Sequence, residues 1–165
     1  MVRDKDELNS IWSEVVRRLI VYENEDLTLE EPLKEEEMRE ACEIGLRLQR
    51  LLVEPGLHLT LKPVFAGCGY ISASEGDVLL KNTLYEVKTV DRPFRSVDIR
   101  QLISYAAMNS VSKQFVIERI GIINPRRGTR CDLDIEIVST EISGRPASEL
   151  FWLLASAISS GELSR

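Results

Sequence analysis

Apolar residues recur at three- and four-residue spacing in four stretches of the chain, a pattern that predicts amphipathic helices. The predicted helices cover residues 3–22, 33–52, 97–110 and 147–159. In the second of these, Met38, Ile44 and Leu48 share one face, and Pro55 with Gly56 ends the pattern. The acidic segment that contains Pro32 is expected to connect the first two helices.

Between the helices the apolar period changes to two, which is typical of strands. The predicted strands are LTLKPVF, GDVLL, TLYEVKTV, QFVIERIGII and CDLDIEIV. GDVLL and TLYEVKTV flank Lys81-Asn82, and this arrangement predicts an antiparallel hairpin. The element order ααβββαββα indicates one α/β domain over residues 1–165.

The two later helices have predicted boundaries and buried faces. Ser96 is the expected N-cap of the helix over residues 97–110, with Asp98 in its first turn. The side chains expected to face the sheet from this helix are Val97, Leu102, Ile103, Ala106 and Ala107. Those expected on the buried side of the last helix are Leu150, Leu153, Leu154, Ala157 and Ile158.

Composition excludes several classes of protein. The chain has 165 residues, 44% of them hydrophobic, and no apolar run of the roughly 18–20 residues that span a bilayer. The mixed-charge N-terminus does not resemble a secretory signal, and three widely spaced cysteines indicate a reducing compartment, so a cytoplasmic protein is expected. The chain has one histidine, no CxxC pair and no glycine-rich phosphate loop. It therefore lacks the residues that zinc fingers, zinc hydrolases and nucleotide-binding loops require.

Charge is distributed unevenly along the chain, although the net charge is −6. Residues 1–38 hold 5 basic and 12 acidic residues, and residues 131–165 hold 2 basic and 6 acidic ones. Residues 39–130 hold 14 basic and 9 acidic residues. A locally basic middle segment is compatible with binding phosphate groups.

Four residues in this basic segment predict a metal-dependent hydrolytic site. Side chains at i and i+2 of a strand share a face, so Glu86 and Lys88 project together, and Asp77 of the partner strand can reach them. Two carboxylates with the Val87 carbonyl form an all-oxygen ligand set suited to Mg²⁺ or Mn²⁺. Such an ion polarises a phosphodiester and activates a bound water, and Lys88 could position or deprotonate that water or stabilise the transition state.

The next helix and its flanking loops add polar groups that could contact a nucleic acid. Gln101 and Tyr105 are one turn apart on one helical face, where Gln101 could orient a water or a phosphate and Tyr105 could bind a phosphate. Basic residues suited to contacts with the phosphate backbone are Arg92, Arg95, Arg100, Arg126 and Arg127.

The order and spacing of these residues resemble the PD-(D/E)XK nuclease superfamily. The segment GDVLLKNTLYEVKTVDRPFRSVDIRQLISYA is most similar to the RecB-type exonuclease branch, in which a Q-x3-Y helix follows the ExK strand. The resemblance implies a restriction-endonuclease-like αβββαβ core, a central mixed sheet flanked by helices, with extra N- and C-terminal helices. It also implies Asp77, Glu86 and Lys88 as the catalytic core, with Gln101 and Tyr105 as the helix motif.

The same resemblance implies a further glutamate from the preceding helix. Glu37, Glu40 and Glu43 are the candidates, and Glu40 fits best because it lies near the edge of the apolar face. Gly76 stands where the family nominally has proline, at a position that varies within the family.

Three functions are compatible with the sequence. The first is a Mg²⁺- or Mn²⁺-dependent nuclease acting on DNA. The second is a non-catalytic nucleic-acid-binding or interaction subunit with the same fold. The third is an interaction module in which the acids and Lys88 form a salt-bridged strand pair. A chain of this size has little surface for target selection, so a homodimer mate or a larger protein complex could supply it, and no membrane partner is expected.

Overall fold

A computed structural model describes Asp6 and residues 10–14, 34–52 and 58–160. Its helices are α1 (Glu35–Leu52), α2 (Ser96–Ser112), α3 (Ile135–Ser143) and α4 (Ala147–Ser160). Its strands are β1 (Leu59–Leu61), β2 (Val64–Phe65), β3 (Ser74–Glu75), β4 (Val78–Leu80), β5 (Thr83–Val87), β6 (Arg119–Asn124) and β7 (Thr129–Asp134). Asp6 and residues 10–14 are helical, and most of the predicted first helix lies outside the described residues.

Five strands form a mixed sheet in the order β1-β4-β5-β6-β7. β5 and β6 are parallel and α2 connects them, whereas the other neighbouring pairs are antiparallel. β2 and β3 form a separate antiparallel pair. The predicted α/β class and the mixed sheet flanked by helices are confirmed.

The alternation of side chains along β4 and β5 divides the core between the two faces of the sheet. Leu79 and Leu84 pack with α2, α3 and α4 on one face, which we call the helical face. Val78, Leu80 and Tyr85 pack on the opposite face with Leu48, Leu51 and Leu52. Because side chains alternate, Glu86 and Lys88 follow Leu84 on the helical face.

Gly121 allows a buried tyrosine to lie against the centre of the sheet. A Cβ at Gly121 would come within 2.5 Å of a Tyr85 ring carbon and 2.7 Å of the Cys131 carbonyl oxygen. The absence of a side chain at this position of β6 therefore makes room for the Tyr85 ring.

The predicted hairpin is confirmed, but LTLKPVF is not one strand. Lys81 adopts a φ of 52° in the turn between β4 and β5. Lys62 adopts a φ of 54° and is followed by Pro63, so the chain leaves the five-stranded sheet after β1 and pairs with β3 as β2. A left-handed residue cannot continue a strand.

The strand predicted over CDLDIEIV is correct only in its first half. The Asp134 carboxylate accepts a hydrogen bond of 2.8 Å from the Glu136 backbone N–H and begins α3 at Ile135. The alternation of Ile135, Ile137 and Val138 with polar residues resembles a strand, but side-chain capping by Asp134 selects a helix.

Three details of the later helices differ from expectation. The N-cap of α2 is Arg95 rather than Ser96, and Val97 is exposed instead of facing the sheet. In α4 Leu153 is exposed, while Phe151 and Ala155 are buried. The buried positions Leu102, Ile103, Ala106, Ala107 and Ile158 are confirmed.

The chain divides into two compact units, residues 1–47 and 48–165. The second unit contains the whole sheet and every residue of both core clusters. None of the helices in the described ranges is long and apolar enough to cross a membrane.

Candidate active site

The candidate site lies where β5 ends and α2 crosses the helical face of the sheet. Asp77 immediately precedes β4, and Val78 pairs with Tyr85 across the hairpin. This register places Asp77 beside the last residues of β5. Glu86 lies within β5, and Lys88 is the first residue after the end of this strand. The sheet therefore fixes the backbone of Asp77, Glu86 and Lys88.

A hydrogen bond from β5 fixes the Asp77 side chain. Its Oδ2 atom accepts the Val87 backbone N–H at 2.7 Å. Asp77 is therefore bound to the residue between Glu86 and Lys88. The predicted convergence of Asp77 with this strand is present in the structure.

A chain of hydrogen bonds connects β5 with α2 and with the β2–β3 pair. Lys88 Nζ donates to Glu86 Oε1 at 2.6 Å and to Gln101 Oε1 at 3.1 Å. Gln101 Nε2 donates to the Tyr105 hydroxyl at 2.9 Å, which donates to the Glu75 carbonyl at 3.0 Å. The ExK strand and the Q-x3-Y helix thus meet through their side chains, and α2 fixes the orientation of Lys88.

Glu86 is a buried carboxyl group, and only one of its two oxygens accepts a hydrogen bond from a described residue. Its side chain is 5% exposed, and only Oε1 is used by Lys88. Glu86 Oε2 and Asp77 Oδ1 accept no hydrogen bond from any described residue. Burial raises the pKa of Glu86, the Lys88 hydrogen bond lowers it, and the negative charge of Asp77 raises it again. The net pKa lies above the usual value, as expected where two carboxylates converge with little solvent.

Arg92 is bound to the first turn of α2. Both terminal nitrogens of its guanidinium donate to Asp98, at 2.9 and 3.0 Å, and the Arg95 backbone N–H donates to the same carboxylate at 2.8 Å. The hydrogen bond from Arg92 lowers the pKa of Asp98 to about 2, against an opposing effect of burial. This bidentate pair holds the loop between β5 and α2, a role that the sequence did not predict for Arg92.

The other predicted phosphate-contacting arginines lie in different parts of the second unit. Arg95 and Arg100 are exposed at the start of α2. Arg126 donates to the Thr89 carbonyl at 3.3 Å, and Arg127 lies 3.4 Å from the Asp91 carboxylate. These two arginines connect the β6–β7 turn to the loop that follows Lys88, so they border the end of β5.

Glu37, Glu40 and Glu43 are exposed on α1 within residues 1–47. Over the described part of the chain, no group of three or more His, Cys, Asp or Glu side chains is placed to hold a metal ion. The paired carboxylates of Asp77 and Glu86 are thus the acidic component that the structure assembles, and the role of Glu40 stays a prediction.

A polar cluster on the opposite face of the sheet was not predicted. The buried Tyr85 hydroxyl donates to Asp132 at 3.1 Å and accepts from Arg130 at 2.6 Å, and Arg130 also donates to the Leu51 carbonyl. Burial raises the pKa of Tyr85. Of these residues, the alternating pattern of CDLDIEIV predicts only that Asp132 lies in a half-exposed strand. The cross-strand partners of a polar residue do not follow from the pattern of its own strand.

No protein-family model, curated protein or solved structure matches this chain.

Proposed function

We propose that this protein is a metal-dependent nuclease that hydrolyses phosphodiester bonds in DNA, on a restriction-endonuclease-like fold related to the RecB-type branch. The observation that carries the proposal is the pair of carboxylates, Asp77 and Glu86, each with one oxygen that no described residue binds. Lys88 is held beside them by Gln101.

The residues of the site suit Mg²⁺ or Mn²⁺. A buried carboxylate oxygen without a partner is unfavourable unless a cation or water satisfies it. Mg²⁺ commonly uses one or two protein carboxylates and completes its octahedral shell with water and phosphate oxygens. Asp77 and Glu86, with the Val87 carbonyl, would hold the ion, which when bound would polarise the phosphodiester and lower the pKa of a coordinated water.

Lys88 is placed to act on the water or on the phosphate. An ammonium group has three donors, and two of those of Lys88 are directed to Glu86 and Gln101. The third donor can reach a phosphate oxygen or the attacking water. Gln101 and Tyr105 fix this geometry through the Glu75 carbonyl, and Arg126 and Arg127 can bind flanking phosphates.

The test is a cleavage assay with plasmid, linear and single-stranded DNA in Mg²⁺, Mn²⁺ or EDTA. Cleavage is expected with either ion and not in EDTA. Lys88→Met and Glu86→Gln are each expected to reduce the rate at least 100-fold. Lys113→Met and Glu141→Gln, at exposed positions on the C-terminal side of α2 and on α3, are matched controls that should retain the wild-type rate.

The assay also separates the alternatives. Equal inactivity of wild type and Lys88→Met under every condition would contradict a nuclease. DNA binding without cleavage, weakened by salt and by Arg126→Ala with Arg127→Ala, would instead favour a non-catalytic nucleic-acid-binding subunit.

A further inference from the structure

The hairpin of β2 and β3 ends in a tight turn that carries one exposed aromatic side chain. Cys68 and Ile71 exchange two backbone hydrogen bonds of 3.0 Å, leaving Gly69 and Tyr70 as the two central residues. Gly69 has a φ of 57° at the position where a type II′ turn takes glycine. Tyr70 is 79% exposed, and its side chain makes no hydrogen bond or ring contact with a described residue.

The backbone beneath Tyr70 is closely packed. A Cβ at Gly69 would lie 2.4 Å from the Ser159 Cα on α4, and a Cβ at Gly67 would lie 2.7 Å from the Ile71 carbonyl oxygen. The Cys68 side chain is buried, with its sulfur 3.7 Å from the Ser159 hydroxyl. The two glycines therefore allow the turn to lie directly on α4.

The other end of the hairpin is attached to α2 and to the candidate site. Gln114 bonds both the Ala66 N–H and the Val64 carbonyl, at 2.7 and 3.3 Å. The Phe65 ring stacks on Tyr105 with centroids 5.2 Å apart, and the Tyr105 hydroxyl binds Glu75. The hairpin is thus fixed at its base, along its side and at its turn, while one aromatic ring projects into solvent.

From this arrangement we infer that Tyr70 is a stacking site for an unpaired base of a DNA strand bound at the proposed nuclease site. A tyrosine on a fixed backbone offers a flat face at low conformational cost, and every base can stack on such a face. The inference rests on the proposed function, which places the scissile bond beside Asp77 and Glu86. Asp77 follows Tyr70 by seven residues along the chain. That length of chain spans at most about 25 Å. With successive bases about 3.4 Å apart, Tyr70 lies within roughly seven stacked nucleotides of the scissile bond.

The experiment is a double-mutant cycle between Tyr70 and the bases of a fluorescein-labelled 12-nucleotide oligothymidylate. Binding is measured by anisotropy in EDTA, where the proposed cleavage cannot occur, and an abasic site is moved through the oligonucleotide one position at a time. At one or two adjacent positions the abasic site is expected to weaken wild-type binding about 5- to 100-fold. The same abasic sites should have no further effect in Tyr70→Leu.

Comparison of Tyr70→Phe with Tyr70→Leu separates stacking from general apolar contact. Tyr70→Phe keeps the ring and should bind like wild type, whereas Tyr70→Leu keeps apolar area without a ring and should not. Ile137→Ala, at a residue 57% exposed on α3, is the control and should bind like wild type. Unchanged melting temperatures in all three variants exclude unfolding as the cause.

Wild-type affinity in Tyr70→Leu, or a uniform loss without coupling to any one base, would overturn the stacking site. Coupling without cleavage in Mg²⁺ would leave it standing and refute the nuclease. Cleavage without coupling would refute the stacking site alone, and absence of DNA binding would refute both.

Discussion

The surroundings of Glu86 determine its protonation, on which the proposed cation binding would depend. Its pKa is raised by burial, lowered by the hydrogen bond from Lys88 and raised by the charge of Asp77. Because the net pKa is raised, the folded state binds the Glu86 proton more tightly than the unfolded state does. The stabilisation from this proton is complete below the ordinary glutamate pKa and is lost as pH rises through the folded-state pKa.

Affinity for a divalent cation should depend on pH through the same group. Mn²⁺ affinity of wild type is expected to fall as pH decreases through the raised pKa of Glu86, because the protonated carboxyl has no charge to offer. Titration calorimetry between pH 4 and 8, at values set about one unit apart, measures this dependence. Affinity that does not change over this range would show that Glu86 is not a ligand.

Removing the Glu86 charge should not destabilise the protein without metal. Glu86→Gln retains an acceptor for Lys88 and removes repulsion with Asp77, so in EDTA at pH 8 its free energy of unfolding should equal or exceed that of wild type. Urea denaturation measures the difference. A loss above about 1 kcal/mol would indicate that the ion pair with Lys88 is the dominant contribution of Glu86.

Asp98 has the opposite pH dependence. Its pKa is lowered from 3.8 to about 2, so its stabilising effect is present above pH 4 and is lost as pH falls towards 2. Asp98→Asn is expected to lower the free energy of unfolding by about 2 kcal/mol at pH 7, because Arg92 and the Arg95 N–H lose a charged acceptor. The difference from wild type should shrink at pH 2.

Asp91→Asn is the matched control for Asp98→Asn. The Asp91 side chain is 83% exposed and lies 3.4 Å from Arg127. Exposed ion pairs contribute little, so this change should alter the free energy of unfolding by less than about 0.5 kcal/mol. Equal effects of the two variants on urea denaturation would contradict the structural role assigned to the Arg92–Asp98 pair.

At the scale of single residues, the sequence predicted contacts between side chains best where both residues lie on the same strand or the same helix. Glu86 with Lys88, and Gln101 with Tyr105, are pairs of this kind, and the structure joins them. Asp98 was predicted only as a first-turn acid, since its bond with Arg92 depends on how the intervening loop folds. The Glu75 carbonyl has no sequence signal, because any residue could supply it.

At the scale of elements, the hairpin of β4 and β5 was predictable because alternation and its turn agree with the tertiary structure. The LTLKPVF and CDLDIEIV segments were not, because backbone conformation at Lys62 and capping by Asp134 override the alternating pattern. A periodic pattern reports which faces are apolar, but it does not report where a left-handed residue or a side-chain cap interrupts the element.

Two glycine substitutions test how tightly the elements pack. Gly121→Ala is expected to lower the free energy of unfolding by about 1–3 kcal/mol, because the new methyl group would meet the Tyr85 ring in the core. Gly45→Ala should raise it by about 0.5–1 kcal/mol, since α1 leaves open space around this residue and alanine favours helix. Urea denaturation of both variants measures the contrast, and stabilisation by Gly121→Ala would refute the proposed close packing.

At the scale of the whole molecule, residues 48–165 should fold without the first 47. Both core clusters and the whole sheet belong to this unit. A chain that begins at Leu48 is expected to unfold cooperatively, with a free energy about 1–2 kcal/mol lower because α1 loses most of its turns. Calorimetry measures this, and a broad transition without a heat-absorption peak would show that the N-terminal unit is required.

The α/β class followed from the order of helical and strand patterns along the whole chain. The division into residues 1–47 and 48–165 did not, because the boundary falls within one helix and has no linker composition. The parallel pairing of β5 with β6 is consistent with the helix between them, as expected for a crossover connection.

The pairing of β5 with β6 also determines whether the site can exist. Glu86 lies opposite Ile122, and Leu84 lies opposite Ile120. A shift of β5 by one residue would turn Glu86 and Lys88 to the opposite face, among Val78, Leu80 and Ile123, and would turn Tyr85 to the helical face. The apolar residues of this strand therefore select the register that brings Glu86 and Lys88 to the candidate site, because a misregistered chain would have to bury their charges among leucines. Variants at Leu84 that permit another register are thus expected to disrupt the candidate site in molecules that remain folded.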